Sequence, residues 1–252
     1  MIDLSGKTAL ITGGSRGIGA ATASLFAEAG ADVAFTYSRH RKDADRVVRR
    51  LESFGRTVIA LRANVADEEH VRKCVTKVKD VFGKIDILVN NAGIWTYGAI
   101  GKMKRRVWQE TLDVNLTGTF LMCNAVVPLM RKRRYGRIIN VSSTAGQRGE
   151  AYHSHYAATK GGIIALTKSL AAELARENII VNCVAPGWVD TDMSGSVLRD
   201  RKLREEVRRT IPRGTIATAE EIAGPILFLA SELAKNVVGE VLNANGGSVL
   251  CG

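Results

Sequence analysis

Lys7-Thr8-Ala9-Leu10-Ile11-Thr12-Gly13-Gly14-Ser15-Arg16-Gly17-Ile18-Gly19 begins as an apolar run and ends in glycines spaced Gly13-x-x-x-Gly17-x-Gly19. The run over 7–12 has strand length, and helical apolar spacing follows over 18–29 until Gly30 stops it. A strand that passes through a tight glycine turn into a helix offers free helix N–H groups to a pyrophosphate. A plain glycine turn between strand and helix would look the same locally. Its place after the first strand of a series is what favours dinucleotide binding.

Working outward, strand-like runs recur at 32–37, 57–61, 85–89, 136–141, 179–184 and 240–243. Helical patterns separate them at 41–54, 67–82, 105–133, 155–176 and 220–230, with Pro128 as an expected kink or break. Such alternation predicts repeated βαβ units with right-handed crossovers. The predicted fold is α/β: a single-domain, doubly wound parallel sheet over residues 1–252, Rossmann-like, with helices on both faces. Only 188–219 breaks the pattern. It is polar and highly charged, follows a strand's carboxyl end, and is expected to be an irregular substrate lid.

The 252 residues are 46% hydrophobic and 24% charged, which excludes a disordered or collagen-like chain. No uninterrupted apolar run reaches the roughly 18 residues of a membrane span, so no membrane partner is expected. The start lacks a basic segment followed by an apolar one, which points to the cytoplasm. Lys and Arg number 36 against 25 Asp and Glu, a net charge of +11. That balance suits phosphates, nucleic acid or an acidic protein. The basic clusters at 39–42, 102–106, 131–134 and 199–209 read mainly as solvated helix faces. Cys74, Cys123, Cys183 and Cys251 are scattered, as buried small hydrophobes or free thiols would be. His153 and His155 form the only tight histidine pair and have no partner at ligand spacing, so no metal is expected.

Chemistry-bearing residues fall at strand ends. Asp32 lies about 20 residues beyond the glycine turn, at the spacing of a ribose-binding acid, but it opens its strand and should sit at the wrong end of the sheet. The carboxyl end of that strand is Tyr37-Ser38-Arg39, which has no acid. Arg16 and Arg39 can reach that region, and guanidinium groups suit a 2′-phosphate, so NADP(H) is favoured over NAD. Asn90-Asn91-Ala92-Gly93 ends the fourth strand with small and amide residues that let a ring or ribose approach. Tyr156 and Lys160 stand at i and i+4, on one helix face. An ammonium ~4 Å from the phenol contributes ~4 kcal/mol at an effective dielectric of 20, enough to bring the phenol toward neutral titration. An ordinary Tyr/Lys pair on a solvated face has the same spacing. Ser143 ends the fifth strand, where its hydroxyl could bond a substrate carbonyl, while Ser142 should point to the other face. Asn115 interrupts a helical pattern with a poor helix former.

Taken in order, these pieces resemble the short-chain dehydrogenase/reductase family over nearly the whole chain. Thr12 to Gly19 is similar to its T-G-x-x-x-G-x-G turn, Asn90 to Gly93 to its N-N-A-G, Tyr156 and Lys160 to its Y-x-x-x-K, and Pro186-Gly187 to its P-G turn. Ser143 precedes Tyr156 by 13 residues, as the family's serine does. The resemblance is closest to bacterial 3-oxoacyl-[acyl-carrier-protein] reductases, through segments such as 114–118, 136–143, 182–187 and 245–247. Departures are Asn64 in place of a common aspartate, Trp188, and 211–215; the last two lie by the presumed lid and bear on the substrate.

The resemblance implies an NADPH-dependent ketone reductase with Ser143, Tyr156, Lys160 and Asn115 as its catalytic set. Tyr156 would supply the proton and Ser143 orient the carbonyl, both touching substrate. Lys160 would lower the tyrosine pKa and hold the nicotinamide ribose, and Asn115 would help keep a water chain. Implied cofactor contacts come from Gly13, Ser15, Arg16, Gly17, Ile18, Gly19, Tyr37, Ser38, Arg39, Asn64, Val65, Asn91, Ala92, Gly93, Tyr156, Lys160, Pro186, Gly187, Val189 and Thr191. A homotetramer or homodimer is implied too, with a carrier-linked or small-molecule ketone as substrate and no nucleic acid. Arg131 to Arg134 resembles a basic carrier-docking segment beside the site entrance. Two alternatives stay open: a reductase for a sugar, steroid or other small alcohol, and a non-catalytic cofactor-sensing or nucleic-acid-binding protein.

Overall fold

The computed structural model describes residues 2–250, which leaves Cys251 outside the described residues. The strands β1 (Thr8–Ile11), β2 (Asp32–Tyr37), β3 (Val58–Arg62), β4 (Ile87–Asn90), β5 (Gly136–Val141), β6 (Ile179–Pro186) and β7 (Val241–Ala244) form one parallel sheet. Their order is β3-β2-β1-β4-β5-β6-β7. Strands β1, β4, β5 and β6 are buried along their whole length, which requires cover on both faces.

The helices are α1 (Gly17–Glu28), α2 (Arg41–Glu52), α3 (Glu68–Phe82), α4 (Arg105–Leu112), α5 (Gly118–Arg133), α6 (Thr144–Arg148), α7 (Ser154–Leu174), α8 (Gly195–Leu198), α9 (Arg201–Thr210) and α10 (Ala219–Ala230); the cover comes from α1, α2 and α10 on one face and α3, α5 and α7 on the other. Alternation along β1 divides the core in two. Ala9 and Ile11 pack with Phe26 of α1, Leu51 of α2 and Ile226 of α10. Leu10 faces the other way, among Val78 of α3, Met122 and Met130 of α5 and Leu174 of α7. The sheet order reverses between β1 and β4, the crevice where a doubly wound sheet receives its ligand at the strands' carboxyl ends.

Three expectations change. Residues 105–133 are continuously helical, with Pro128 inside α5, but a π turn at Asp113–Thr117 separates α4 from α5. This 29-residue stretch is long and apolar enough, by length and composition, to cross a membrane, although no single apolar run marks it; its Met122, Val126 and Met130 are buried in the second core. Segment 188–219 is only partly irregular. It carries α8 and α9, and the pairing of Val189 with Ala217 closes its base. Its charge hid the helices because α9 is capped by Asp200 and held by exposed pairs from Glu205 to Arg208 and Arg209.

Candidate active site

The glycine turn is locked onto the end of β4. The Thr12 hydroxyl accepts from the backbone N–H groups of Asn91 (3.0 Å) and Ala92 (2.9 Å). The Asn91 side-chain amide donates to the carbonyls of Thr12 (2.9 Å) and Gly13 (3.2 Å). A methyl group on Gly19 would stand 2.3 Å from the Gly13 carbonyl oxygen, so only glycine lets α1 start this close. Arg16 caps α1 without a side-chain bond, and the first turn holds no acid, which leaves its N–H groups to an anionic ligand. Asp32 is at the amino end of β2, accepting from the Thr57 N–H at 2.9 Å.

A cleft of about 1270 Å³ opens at this crevice. Drug-sized ligands fill pockets of about 300–1000 Å³, so this one has room for a dinucleotide. Gly13, Ser15, Arg16, Gly17, Ile18, Tyr37, Ser38, Arg39, Asn64, Val65, Asn91, Ala92, Gly93 and Thr191 all line it. Gly19 packs beneath the turn instead, against Gly13 and Asn91. The acids lining the cleft are Glu110, Asp113 and Asp192, and none is on β2 or just after it. Arg16 is shared with Asp192 at 3.4 Å, whereas Arg39 has no ion pair among the described residues.

A second cavity adjoins the cleft. It is lined by Ser143, Tyr156, Lys160, Pro186, Gly187 and Val189, and shares Ile18, Asn91, Gly93 and Thr191 with the cleft. Ser143 caps α6, its hydroxyl accepting from the Ala145 N–H at 3.1 Å. Tyr156 and Lys160 lie one turn apart on α7 and are buried. Ser142 faces away and donates to the Lys160 carbonyl at 2.7 Å, tying β5 to α7. Helix α6 crosses α7 so closely that a methyl on Gly146 would stand 2.5 Å from the Lys160 carbonyl carbon.

Asn115 lines neither cavity. It is fully buried in the π turn and works as a clamp. Its side chain accepts from the Ile94 N–H (2.8 Å) and donates to the Ile94 carbonyl (3.0 Å) and the Thr159 hydroxyl (3.2 Å). The loop after β4 is thereby held against α7.

Protonation departs from the sequence expectation. The Lys160 ammonium donates to the Val141 carbonyl at 2.7 Å and lies 5.6 Å from the centre of the Tyr156 ring. Burial dominates both groups, because desolvation penalises the charged form of each. It pushes the phenol up to about 12, with the Ser143 hydroxyl drawing it back and the Glu150 carboxylate raising it further. It pushes the ammonium down to about 8. The phenol is therefore a proton donor at neutral pH, and the ammonium is the group that titrates within reach.

The Arg131 to Arg134 segment is not beside this entrance in the chain's own fold. It precedes the amino end of β5, and a six-residue strand puts it roughly 20 Å from the carboxyl end that bears Ser143. Arg131 is engaged by Glu173 and Glu177, and Arg133 lies 4.0 Å from Asp86. The two histidines do not converge either: His153 stacks on Trp95, and His155 hydrogen-bonds Thr96 through Nε2. Sequence reasoning missed Trp95, Arg148 and Glu150, which line the cavity that Ser143, Tyr156 and Lys160 share. Their signal was position: two follow Ser143 on one connection, and Trp95 comes directly after the loop at the end of β4.

Comparison with known proteins agrees with this architecture. A family model described as enoyl-(acyl carrier protein) reductase matches residues 13–248. A Chlamydia pneumoniae protein named 3-oxoacyl-[acyl-carrier-protein] reductase FabG is 44% identical over 98% of this chain and 98% of its own. A Synechocystis 3-oxoacyl-[acyl-carrier-protein] reductase is 41% identical over 99% of this chain and 100% of its own. A Staphylococcus aureus FabG is 40% identical over 96% and 97%. Full-length similarity at this level, on a sheet whose glycine turn and Ser-Tyr-Lys cavity meet at one crevice, makes the chain a member of the short-chain dehydrogenase/reductase family of nicotinamide-dependent oxidoreductases.

Proposed function

We propose that the protein uses NADPH to reduce the ketone of a 3-oxoacyl group carried on an acyl carrier protein. The observation behind this reading is that Ser143, Tyr156 and Lys160 face one cavity continuous with the dinucleotide cleft. A bound reduced nicotinamide supplies the hydride. Ser143 donates a hydrogen bond to the substrate carbonyl and stabilises negative charge as it develops there. Tyr156, protonated at neutral pH, gives its proton to the same oxygen. Lys160 keeps a positive charge in the site below a pH of about 8. Asn115 acts as a positioning residue through Ile94 and Thr159.

NADP is preferred in this proposal because Arg39 and the shared Arg16 face a β2 end without an acid. The carrier substrate follows the relatives, which are 3-oxoacyl-[acyl-carrier-protein] reductases, and the net charge of +11 suits an acidic carrier. We place the protein in the cytoplasm as a homodimer or homotetramer; half-exposed Phe120 and Trp108 on α4 and α5 leave an apolar face for a second copy. The competing reading, a reductase for a small free ketone, is favoured by the position of Arg131 to Arg134 away from the cavity. A screen with NADPH and NADH against carrier-linked 3-oxoacyl, sugar and steroid ketones tests both. Turnover confined to free ketones would replace the carrier assignment.

A further inference from the structure

The glycine turn is held from two sides. The Gly14 N–H donates to the Thr36 carbonyl at 2.9 Å, and the Gly13 N–H to the Thr36 hydroxyl at 3.2 Å, so the turn lies on the carboxyl end of β2. Arg16 therefore stands beside the strand end where a doubly wound sheet receives the adenine ribose of a dinucleotide. From the other side the root of segment 188–219 rests on the same turn: a methyl on Gly17 would meet the Thr191 methyl at 3.3 Å. At this junction the Asp192 carboxylate reaches Nη1 of Arg16 at 3.4 Å. The backbone places Asp192 there. The Ser194 hydroxyl shares its proton between the Val189 (2.6 Å) and Thr191 (3.0 Å) carbonyls and accepts from the Thr191 N–H at 3.2 Å. The Gly195 N–H then donates to the Asp192 carbonyl at 3.3 Å.

The other acids lining the cleft are turned to their own helix: Glu110 pairs with Arg106 at 3.9 Å, and Asp113 accepts from Gln109 at 2.8 Å. Among the described residues, Asp192 is the cleft acid that meets the glycine turn, and its second oxygen lies 3.9 Å from Arg199 at the end of α8. Resting on the NADP preference proposed above, we infer that Asp192 is a cofactor-selectivity residue that works against the 2′-phosphate. It occupies the guanidinium that the phosphate would take, and its own charge opposes the phosphate. The selectivity of the site is thus the difference between Arg16 with Arg39, which favour NADPH, and Asp192, which tempers that preference. A carboxylate and a phosphate on one guanidinium stand about 6 Å apart. At that distance in water two unit charges alter an equilibrium by about threefold, and a phosphate carrying nearly two charges by up to about tenfold.

The test is the dissociation constant of NADPH and of NADH for wild type, Asp192→Asn and Asp192→Ala, each at low salt and at 1 M salt. Asp192→Asn should tighten NADPH binding by about three- to tenfold at low salt and leave NADH within about twofold. Asp192→Ala, which removes the acceptor as well as the charge, should do the same and decides the matter if the asparagine variant does not fold. At 1 M salt, where charges are screened within about 3 Å, the gain should fall below about twofold. A role confined to the shape of segment 188–219 would move both cofactors together. Unchanged NADPH affinity in both variants, an equal change for NADH, or a gain that survives 1 M salt overturns the inference. The wild-type ratio tests the underlying reading separately. If wild type binds NADPH no tighter than NADH, the NADP preference falls, and the shift of that ratio in the variants still decides what Asp192 does.

Discussion

Lys160 carries the clearest quantitative consequence of the site. Its ammonium is buried, donates to the Val141 carbonyl, and has its pKa moved from the ordinary 10.5 to about 8 by desolvation. In the unfolded chain the lysine stays protonated up to 10.5, whereas in the native protein it loses its proton near 8. Across that window the unfolded state binds more protons, so stability from this group rises with pH. The displacement amounts to about 3 kcal/mol, at 1.36 kcal/mol per pH unit. Lys160→Met removes the titration and leaves the Val141 carbonyl unpaired, but that second cost does not vary with pH. The assay is denaturant unfolding of both proteins at several values from pH 7 to 10.5. The wild-type stability minus that of the variant should climb by about 3 kcal/mol, nearly all of it above pH 8. In the same range kcat/KM for reduction should be flat up to about 8 and then fall by roughly tenfold per pH unit, while Tyr156 stays protonated. A flat or falling stability difference would refute the claim that burial governs this lysine.

Asn115→Ala should cost about 2 kcal/mol in denaturant melts, because the half-buried Ile94 N–H and carbonyl and the buried Thr159 hydroxyl lose their partner together; a loss within error would mean the clamp is not structural. Arg39→Asp should shift the NADPH-to-NADH ratio of kcat/KM toward NADH by roughly tenfold to a hundredfold, the worth of a charged hydrogen bond. An unchanged ratio would remove Arg39 from cofactor selection. Gly19→Ala places a methyl 2.3 Å from the Gly13 oxygen, so NADPH titration should show binding weakened or lost, and wild-type affinity would contradict the tight turn.

The sheet was legible because its central strands are apolar on both faces and end at glycine or asparagine, as at Ile11-Thr12-Gly13 and Val89-Asn90-Asn91. The pairing of Tyr156 with Lys160 was legible from helical spacing alone. What spacing could not carry was burial, and burial reverses the expected direction of the phenol pKa. Asn115 stood out as a poor helix former, but the π turn that aims it at Ile94 depends on tertiary contacts. Arg131 to Arg134 looked close to Ser143 because adjacency along a strand hides the strand's own length. Helix α9 was hidden by its charges, and Trp95 by the habit of ending the motif at Gly93.

The central claim is that Tyr156, with Ser143 and Lys160 beside it, delivers the proton in a nicotinamide-dependent ketone reduction. The direct measurement is ketone-dependent NADPH oxidation over many turnovers by wild type and Tyr156→Phe, with NADPH affinity measured on both proteins. The account predicts multiple turnovers for wild type and a loss of roughly 100- to 10,000-fold in kcat for the variant, the usual worth of a positioned general acid, at unchanged NADPH affinity. A wild-type protein that binds NADPH yet never turns over, or a variant with wild-type kcat, would contradict it.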